Sequence, residues 1–170
     1  MKNLFYKYGF KTSFSKELII ERELFIKKLS ESIEYNNYNF ITDFIESFPF
    51  TSKKLEKRFE GEVINNYFRI RRNFKPSYFN RARSTAQGQI STKNDKWIVT
   101  TKINGFDYRF VILYLLLLFS ILGLTSNFMI GILGIIVCVL IIKTKSKSMK
   151  KDLKILSKEM NELINQINKK

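Results

Sequence analysis

The sequence contains no histidine and only one cysteine, Cys138, among its 170 residues. Histidine is the commonest general base near neutral pH and the commonest metal ligand, so its absence removes most hydrolase and metalloenzyme sites. A single cysteine cannot form an intrachain disulfide or a cysteine-based zinc site. Acidic residues are also scarce, with 15 of them against 30 lysines and arginines. We therefore expect a basic protein that is not an enzyme and that carries neither a metal nor another cofactor.

What the sequence does contain is a charge-free run of 33 residues, from Phe110 to Ile142. A straight helix rises about 1.5 Å per residue, so the whole run would measure roughly 50 Å against a hydrocarbon core of about 30 Å. The polar residues 125–127 divide the run into two halves. This pattern predicts a transmembrane helical hairpin over 106–145, with helices at about 106–124 and 128–145. A single long, tilted crossing is the alternative.

Basic residues stand on both sides of this run. Segments that remain in the cytoplasm carry an excess of lysine and arginine. Because both flanks are basic, we expect a multi-pass protein of the plasma (inner) membrane with both termini in the cytoplasm. The first 14 residues interleave lysines with aromatics and lack the apolar core of a secretory signal, so the soluble part should remain cytosolic.

The region before the run begins with a strand pattern and a helix pattern. Residues 9–14 alternate as a short strand, and Ser15 is a candidate cap for the helix that follows. Apolar residues recur at spacings of three to four from Leu18 to Ile33, which predicts an amphipathic helix that ends near Glu34.

Two β-hairpins are predicted further along the chain. Strands at 58–63 and 67–71 flank Asn65-Asn66, and asparagine tolerates the left-handed backbone of a tight turn. Strands at 85–91 and 96–103 flank a second group of turn residues. The predicted fold class is therefore α+β, with one amphipathic helix on a small antiparallel sheet in a cytosolic domain at 1–105, followed by the transmembrane helical hairpin and a C-terminal helix.

The C-terminal segment, 146–170, is predicted to form a basic amphipathic helix, with a continuation of the second membrane helix as the alternative. Its apolar residues recur at intervals of three and four, at Leu153, Leu156, Met160, Leu163 and Ile167. This apolar seam leaves three placements open, namely against the soluble domain, in the membrane interface or in a coiled coil.

Two groups of basic residues are candidates for contact with the membrane surface. The first is interleaved with aromatics and consists of Arg69, Arg71, Arg72, Lys75, Arg81 and Arg83. The second follows the apolar run and consists of Lys143, Lys145, Lys147, Lys150 and Lys151. Each lysine or arginine near an anionic surface contributes about 1 kcal/mol to binding. We expect the lipid bilayer, including anionic lipids, as the partner, with a solvated sheet edge as the alternative for the first group and nucleic acid given least weight.

Small residues within the apolar run are candidates for helix packing. They are Ser120, Gly123, Gly131, Gly134 and Cys138. Small side chains let helix backbones approach closely in lipid. Packing within the hairpin is the preferred interpretation, and a homo-oligomer interface is the alternative. On the predicted strand before Asn65, Glu60 and Glu62 share one face and are interpreted as solvated.

Three segments carry a resemblance to a group of uncharacterised bacterial membrane proteins. They are Phe59-Glu60-Gly61-Glu62-Val63, Phe68-Arg69-Ile70-Arg71-Arg72 and Gly88-Gln89-Ile90, which lead into the apolar run. The resemblance covers most of 57–142 and implies a small cytosolic α+β domain, a two-helix transmembrane hairpin and a short basic tail. It implies no activity.

The function predicted from these features is that of a membrane-anchored cytosolic binding or scaffolding module with an unknown ligand or protein partner. One alternative is a small membrane assembly protein that oligomerises through its glycine-containing hairpin. An enzyme that acts on a lipid-linked substrate is given less weight.

Overall fold

The protein is described by a computed structural model, which covers residues 10–36, 57–72, 84–105, 109–125 and 128–169. The six strands in these ranges are β1 (Lys11–Glu17), β2 (Ile33–Tyr35), β3 (Phe59–Ile64), β4 (Tyr67–Arg72), β5 (Thr85–Lys93) and β6 (Lys96–Asn104). The helices are α1 (Arg22–Ser32), α2 (Arg109–Gly123) and α3 (Phe128–Asn168).

The described strands form one sheet in the order β1-β6-β5-β4-β3-β2. Neighbouring strands are antiparallel except for β2 and β3, which are parallel. The prediction of a small antiparallel sheet is therefore wrong, because the sheet has six strands and is mixed. The parallel strand β2 has only three residues, which is too short for an alternating pattern to be recognised in the sequence.

Two hairpins build the middle of the sheet and confirm the predicted turns. Asn65 lies between β3 and β4 with a φ of 52°, while Asn94 and Asp95 lie between β5 and β6 with φ values of 51° and 59°. Both central residues of the second loop thus have positive φ, which matches the right-handed twist of the flanking strands, whereas in the first loop only Asn65 does. Asn and Asp adopt this conformation more readily than other non-glycine residues.

The first strand and helix lie further along the chain than the sequence predicts. Strand β1 extends to Glu17 and pairs with β6, so Ser15 lies inside the strand, with its hydroxyl 3.1 Å from that of Thr100. Ser15 is therefore not a helix cap. Helix α1 follows Glu21, which makes no side-chain cap hydrogen bond. Strand β1 pairs with a strand far away in the sequence, so a local residue pattern cannot predict this pairing.

One face of the sheet is covered by α1 and by the second half of α3. Phe25 and Leu29 of α1 are fully buried against the sheet, as are residues of the α3 seam, namely Leu156, Met160 and Ile164. The C-terminal seam therefore packs against the soluble domain, which is the first of the three placements left open by the sequence. Leu163 is only partly buried, because Ile164 takes the central position on this helix face.

The predicted transmembrane hairpin followed by a separate C-terminal helix is wrong. Helix α2 has 15 residues, or about 22 Å, whereas α3 continues for 41 residues from the apolar run to Asn168. Of the described helices, only α3 is long and apolar enough to cross a membrane. No glycine or proline interrupts the chain between Ile135 and Asn168, so the helix continues through the lysines. The described helices therefore do not support a multi-pass topology with two full-length spanning helices.

Candidate functional site

The first half of α3 presents apolar side chains to its surroundings. Only 11% of its most apolar 18-residue window is buried, and Leu133 and Leu140 are 67% and 59% exposed. The core helix of a soluble protein would be mostly buried, and a signal sequence would lie near the N-terminus. Contiguous apolar surface of this kind is rare on soluble monomers. The exposed half of α3 therefore indicates membrane association.

Helix α2 packs along this apolar half of α3 through small residues. A Cβ atom added at Gly134 would lie 2.6 Å from the Ser120 hydroxyl oxygen, and one added at Gly131 would lie 2.8 Å from the backbone of the α2–α3 connection. Cys138 is also buried. Gly123 differs, because a Cβ there would meet no atom within 4 Å. The two glycines of α3 thus lie close to α2 and to the α2–α3 connection, and the choice between packing within the chain and a homo-oligomer interface stays a prediction.

The first group of basic residues does not form one surface. Arg69 and Arg71 lie on the sheet face opposite α1 and α3, here called the open face because neither of these helices lies on it, whereas Arg72 lies on the face covered by the helices. Arg71 is 4% exposed, and its Nε donates a hydrogen bond to Glu60 Oε1 at 2.6 Å. Asn36 Nδ2 donates to the other Glu60 oxygen at 3.0 Å. Glu60 is therefore a buried ion-pair partner and not a solvated carboxylate. Lys75, Arg81 and Arg83 lie outside the described residues.

On the covered face, arginines and carboxylates join α3 to the sheet; we call this set the arginine–carboxylate cluster. Arg72 lies 3.4 Å from Asp152 and 2.8 Å from Glu159, and Arg58 lies 2.6 Å from Glu159. The backbone N–H of Ser84 donates to Asp152 at 2.7 Å. Burial raises the pKa of the Asp152 carboxyl, against the opposing effects of the Ser84 hydrogen bonds and the Arg72 charge. The cluster joins α3 to the last residue of β4 and to the residues just before β3 and β5.

A second polar attachment lies at the far end of α3. The side-chain amide of buried Asn168 accepts a hydrogen bond from the backbone N–H of Ile19 at 2.6 Å and donates one to the carbonyl of Glu17 at 2.8 Å. Asn165 accepts a hydrogen bond from the Lys16 ammonium group. The Asn168 amide thus satisfies the carbonyl of Glu17, the last residue of β1, and the N–H of Ile19 just beyond it. Sequence analysis missed both asparagines.

The open face of the sheet contains a groove of about 410 Å³. Its polar lining includes Glu62, Tyr67, Arg69, Gln87, Gln89 and Lys102. Gln89 Nε2 donates to the Tyr67 hydroxyl at 3.0 Å. The lining carries both charges together with amide and hydroxyl groups, which suits a polar ligand more than a polyanion. In the described part of the chain, no three His, Cys, Asp or Glu side chains are grouped so as to hold a metal ion.

The second group of basic residues lies on α3 directly after its apolar half. Lys143, Lys147, Lys150 and Lys151 are exposed, and Lys145 is half-buried. The Lys150 ammonium lies 5.1 Å from the centre of the Phe10 ring, a cation–π distance. These lysines therefore stand where the apolar helix meets the sheet domain.

In comparisons with known proteins, no family model, curated protein or solved structure matches this chain. The resemblance to bacterial membrane proteins of the kind described above accordingly stays a prediction. The case for a function therefore rests on the geometry of α3 and of the sheet that it supports.

Proposed function

We propose that this chain is a non-catalytic binding or scaffolding module, held at the cytoplasmic face of the plasma membrane by α3. The observation that carries the proposal is the continuity of α3. Its first half exposes apolar side chains, and its second half supplies core residues to the sheet domain. Because no linker separates the two halves, the anchor and the domain form one body. Such a helix holds the open sheet face at a set distance from the bilayer.

The charge distribution supports the cytoplasmic side. The exposed lysines begin at Lys143, immediately after Ile142, the last residue of the apolar run. Lysines at this position favour retention in the cytoplasm and attract anionic head groups. Phe10 and Asn168, near the two ends of the described chain, both contact the sheet domain or the adjoining part of α3. Both are therefore expected on the same side as the domain.

The open face of the sheet is the part of the domain proposed to bind a ligand or a partner. Its groove lies on the side opposite α1 and α3, so neither helix covers it. The non-catalytic role is supported by the use of the buried carboxylates. Glu60, Asp152 and Glu159 each face an arginine, and none of these three lines the groove. Among the described lining residues Glu62 is the carboxylate, with no second carboxylate beside it to complete an acid–base pair.

Flotation of the purified chain with lipid vesicles tests the anchor. Leu133→Lys/Leu140→Lys places two charges on exposed positions of the apolar half, and burying them in hydrocarbon is costly. We expect the unaltered chain to float with the vesicles and the double variant to stay in the dense fraction. Ile19→Lys/Leu24→Lys is the matched control, because both residues are exposed and lie on the sheet domain. Flotation of the α3 variant to the same extent as the control would contradict the proposal.

A further inference from the structure

The outer side of α3 carries a row of lysines that continues well past the membrane boundary. The lysine row consists of Lys143, Lys147, Lys150, Lys151, Lys154 and Lys158, all of them exposed. Successive residues of an α-helix are rotated by about 100°, so the six side chains fall within an arc of about 100°. At about 1.5 Å per residue the row is about 22 Å long, or about four turns, so each turn carries one or two lysines.

No carboxylate of α3 compensates most of this charge. The helix contains three acidic residues. Asp152 and Glu159 point to the opposite side, where they face Arg72 and Arg58 in the arginine–carboxylate cluster. Glu162 alone is exposed, and it lies 3.9 Å from Lys158, at the far end of the row. The helix thus directs two of its acids inwards and its lysines outwards.

We propose that the lysine row binds an acidic helical segment of a partner protein, an inference that rests on the proposed anchoring by α3. Anionic lipid can account for only the first part of the row. Lys147 lies about 7.5 Å beyond Ile142 along the helix, whereas Lys154 and Lys158 lie about 18 Å and 24 Å beyond it. The head-group layer is roughly 5–8 Å thick, and the Debye length at physiological salt is about 8 Å. The last two lysines are therefore out of reach of the lipid surface.

The spacing and the composition of the row favour a helix over a nucleic acid. A partner helix with one Glu or Asp per turn repeats every 5.4 Å, which is close to the rise of about 4.5–6 Å between successive lysines other than the adjacent pair Lys150 and Lys151. Charges along the flanks of paired helices select their partners in this way. Single-stranded nucleic acid is bound through aromatic side chains that stack on the bases. No aromatic residue occurs in 143–170.

The test uses the full chain in zwitterionic vesicles and two labelled synthetic helical peptides. One peptide has a glutamate on each turn, and the other has glutamine at those positions. We expect fluorescence anisotropy to detect binding of the glutamate peptide and at least tenfold weaker binding of the glutamine peptide. Lys154→Gln/Lys158→Gln should weaken binding about fivefold, since each exposed ion pair contributes modestly. The control Lys27→Gln/Lys93→Gln removes the same charge from exposed sites elsewhere and should change binding less than twofold.

Several results would overturn the inference. The first is equal binding of the glutamate and glutamine peptides. The second is an equal loss of peptide binding in Lys154→Gln/Lys158→Gln and in the control Lys27→Gln/Lys93→Gln. The third is a single-stranded oligonucleotide that binds more tightly than the glutamate peptide and depends equally on Lys154 and Lys158. A requirement for Lys154 and Lys158 only in binding to anionic vesicles would also overturn it, in favour of lipid. Flotation of the same samples reports separately on the anchor. Peptide binding without flotation contradicts the proposed function, and flotation without peptide binding contradicts the inference.

Discussion

The buried pair of Glu60 and Arg71 provides the sharpest test of how the sheet is stabilised. Both side chains are 4% exposed, and their ion pair of 2.6 Å joins β3 to β4. Glu60→Leu removes the carboxylate that accepts a hydrogen bond from the buried guanidinium of Arg71. Removing one partner of a buried pair typically costs about 3–5 kcal/mol. We expect a loss of that size in the free energy of unfolding for Glu60→Leu and a similar one for Arg71→Leu.

The double variant Glu60→Leu/Arg71→Leu should be much less damaging than the sum of the single changes. Replacing both charges with apolar groups removes their desolvation penalty together with their attraction, and such replacements are often neutral. We expect the two changes to couple by at least about 2 kcal/mol. Urea titration in detergent micelles measures this, with the fluorescence of Trp97, the only tryptophan, as the probe. Trp97 packs against the core, so its emission reports on the sheet.

The exposed pair of Glu17 and Lys96 is the matched control. It also joins neighbouring strands, at 2.7 Å, but its side chains are 53% and 62% exposed. Solvent-exposed pairs of this kind contribute about 0–1 kcal/mol, so Glu17→Leu should cost less than about 1 kcal/mol. The reasoning would be refuted if Glu60→Leu cost no more than Glu17→Leu, or if the effects of Glu60→Leu and Arg71→Leu were simply additive.

Three further predictions follow from the packing of the described residues. Because the pKa of Asp152 is raised in the folded state, the stability that this carboxyl contributes is present below about pH 3.8, its ordinary pKa, and is lost as pH rises through the folded-state pKa. The difference in free energy of unfolding between the unaltered chain and Asp152→Asn, measured by urea titration at each pH, should show this fall. Gly88→Ala should cost about 1–3 kcal/mol in the same titration, because the added Cβ would overlap the Phe68 ring. Gly134→Leu should lower the thermal midpoint by several degrees by separating α2 from α3, whereas Gly123→Leu should leave it unchanged.

Each of these predictions has a contrary outcome. A stability difference between the unaltered chain and Asp152→Asn that is constant with pH would mean that this carboxyl titrates alike in the folded and unfolded states. An unchanged stability of Gly88→Ala would mean that the aromatic ring moves without cost. Equal effects of leucine at the two glycines would mean that the close contact made by Gly134 is not what holds the helices together.

Features that depend on adjacent residues could be predicted from the sequence. The hairpin turn at Asn65-Asn66 is one, because the left-handed backbone that it needs is a local property of asparagine. The pairing of β1 with β6 is the opposite case, since it joins residues about 90 positions apart. The predicted length of the second apolar helix is wrong. The lysines from Lys143 onwards favour the end of a membrane helix at about residue 145, but lysine is a good helix former, so α3 continues through them.

The acids of the arginine–carboxylate cluster are not evident in the sequence because they are isolated in a basic tail. Asp152 and Glu159 are separated by seven residues, or about two helical turns, and therefore lie on the same side of α3. The buried residues Leu153, Leu156 and Met160 lie beside them on the helix. An acid next to an apolar seam needs a basic partner across the interface. That spacing is the signal that could have assigned Arg58 and Arg72 to the helix-facing side.

The unbroken backbone of α3 also sets the rotational orientation of the domain in the membrane. Every residue of the helix has a fixed angle about its axis, so the side that faces α2, the side that faces the sheet and the lysine row keep constant angular offsets. Insertion of one residue between Ile142 and Met149 would turn the apolar half by about 100° relative to the sheet and lengthen the helix by about 1.5 Å. A rotation of α3 within the bilayer would, by the same geometry, turn the open face of the sheet through an equal angle.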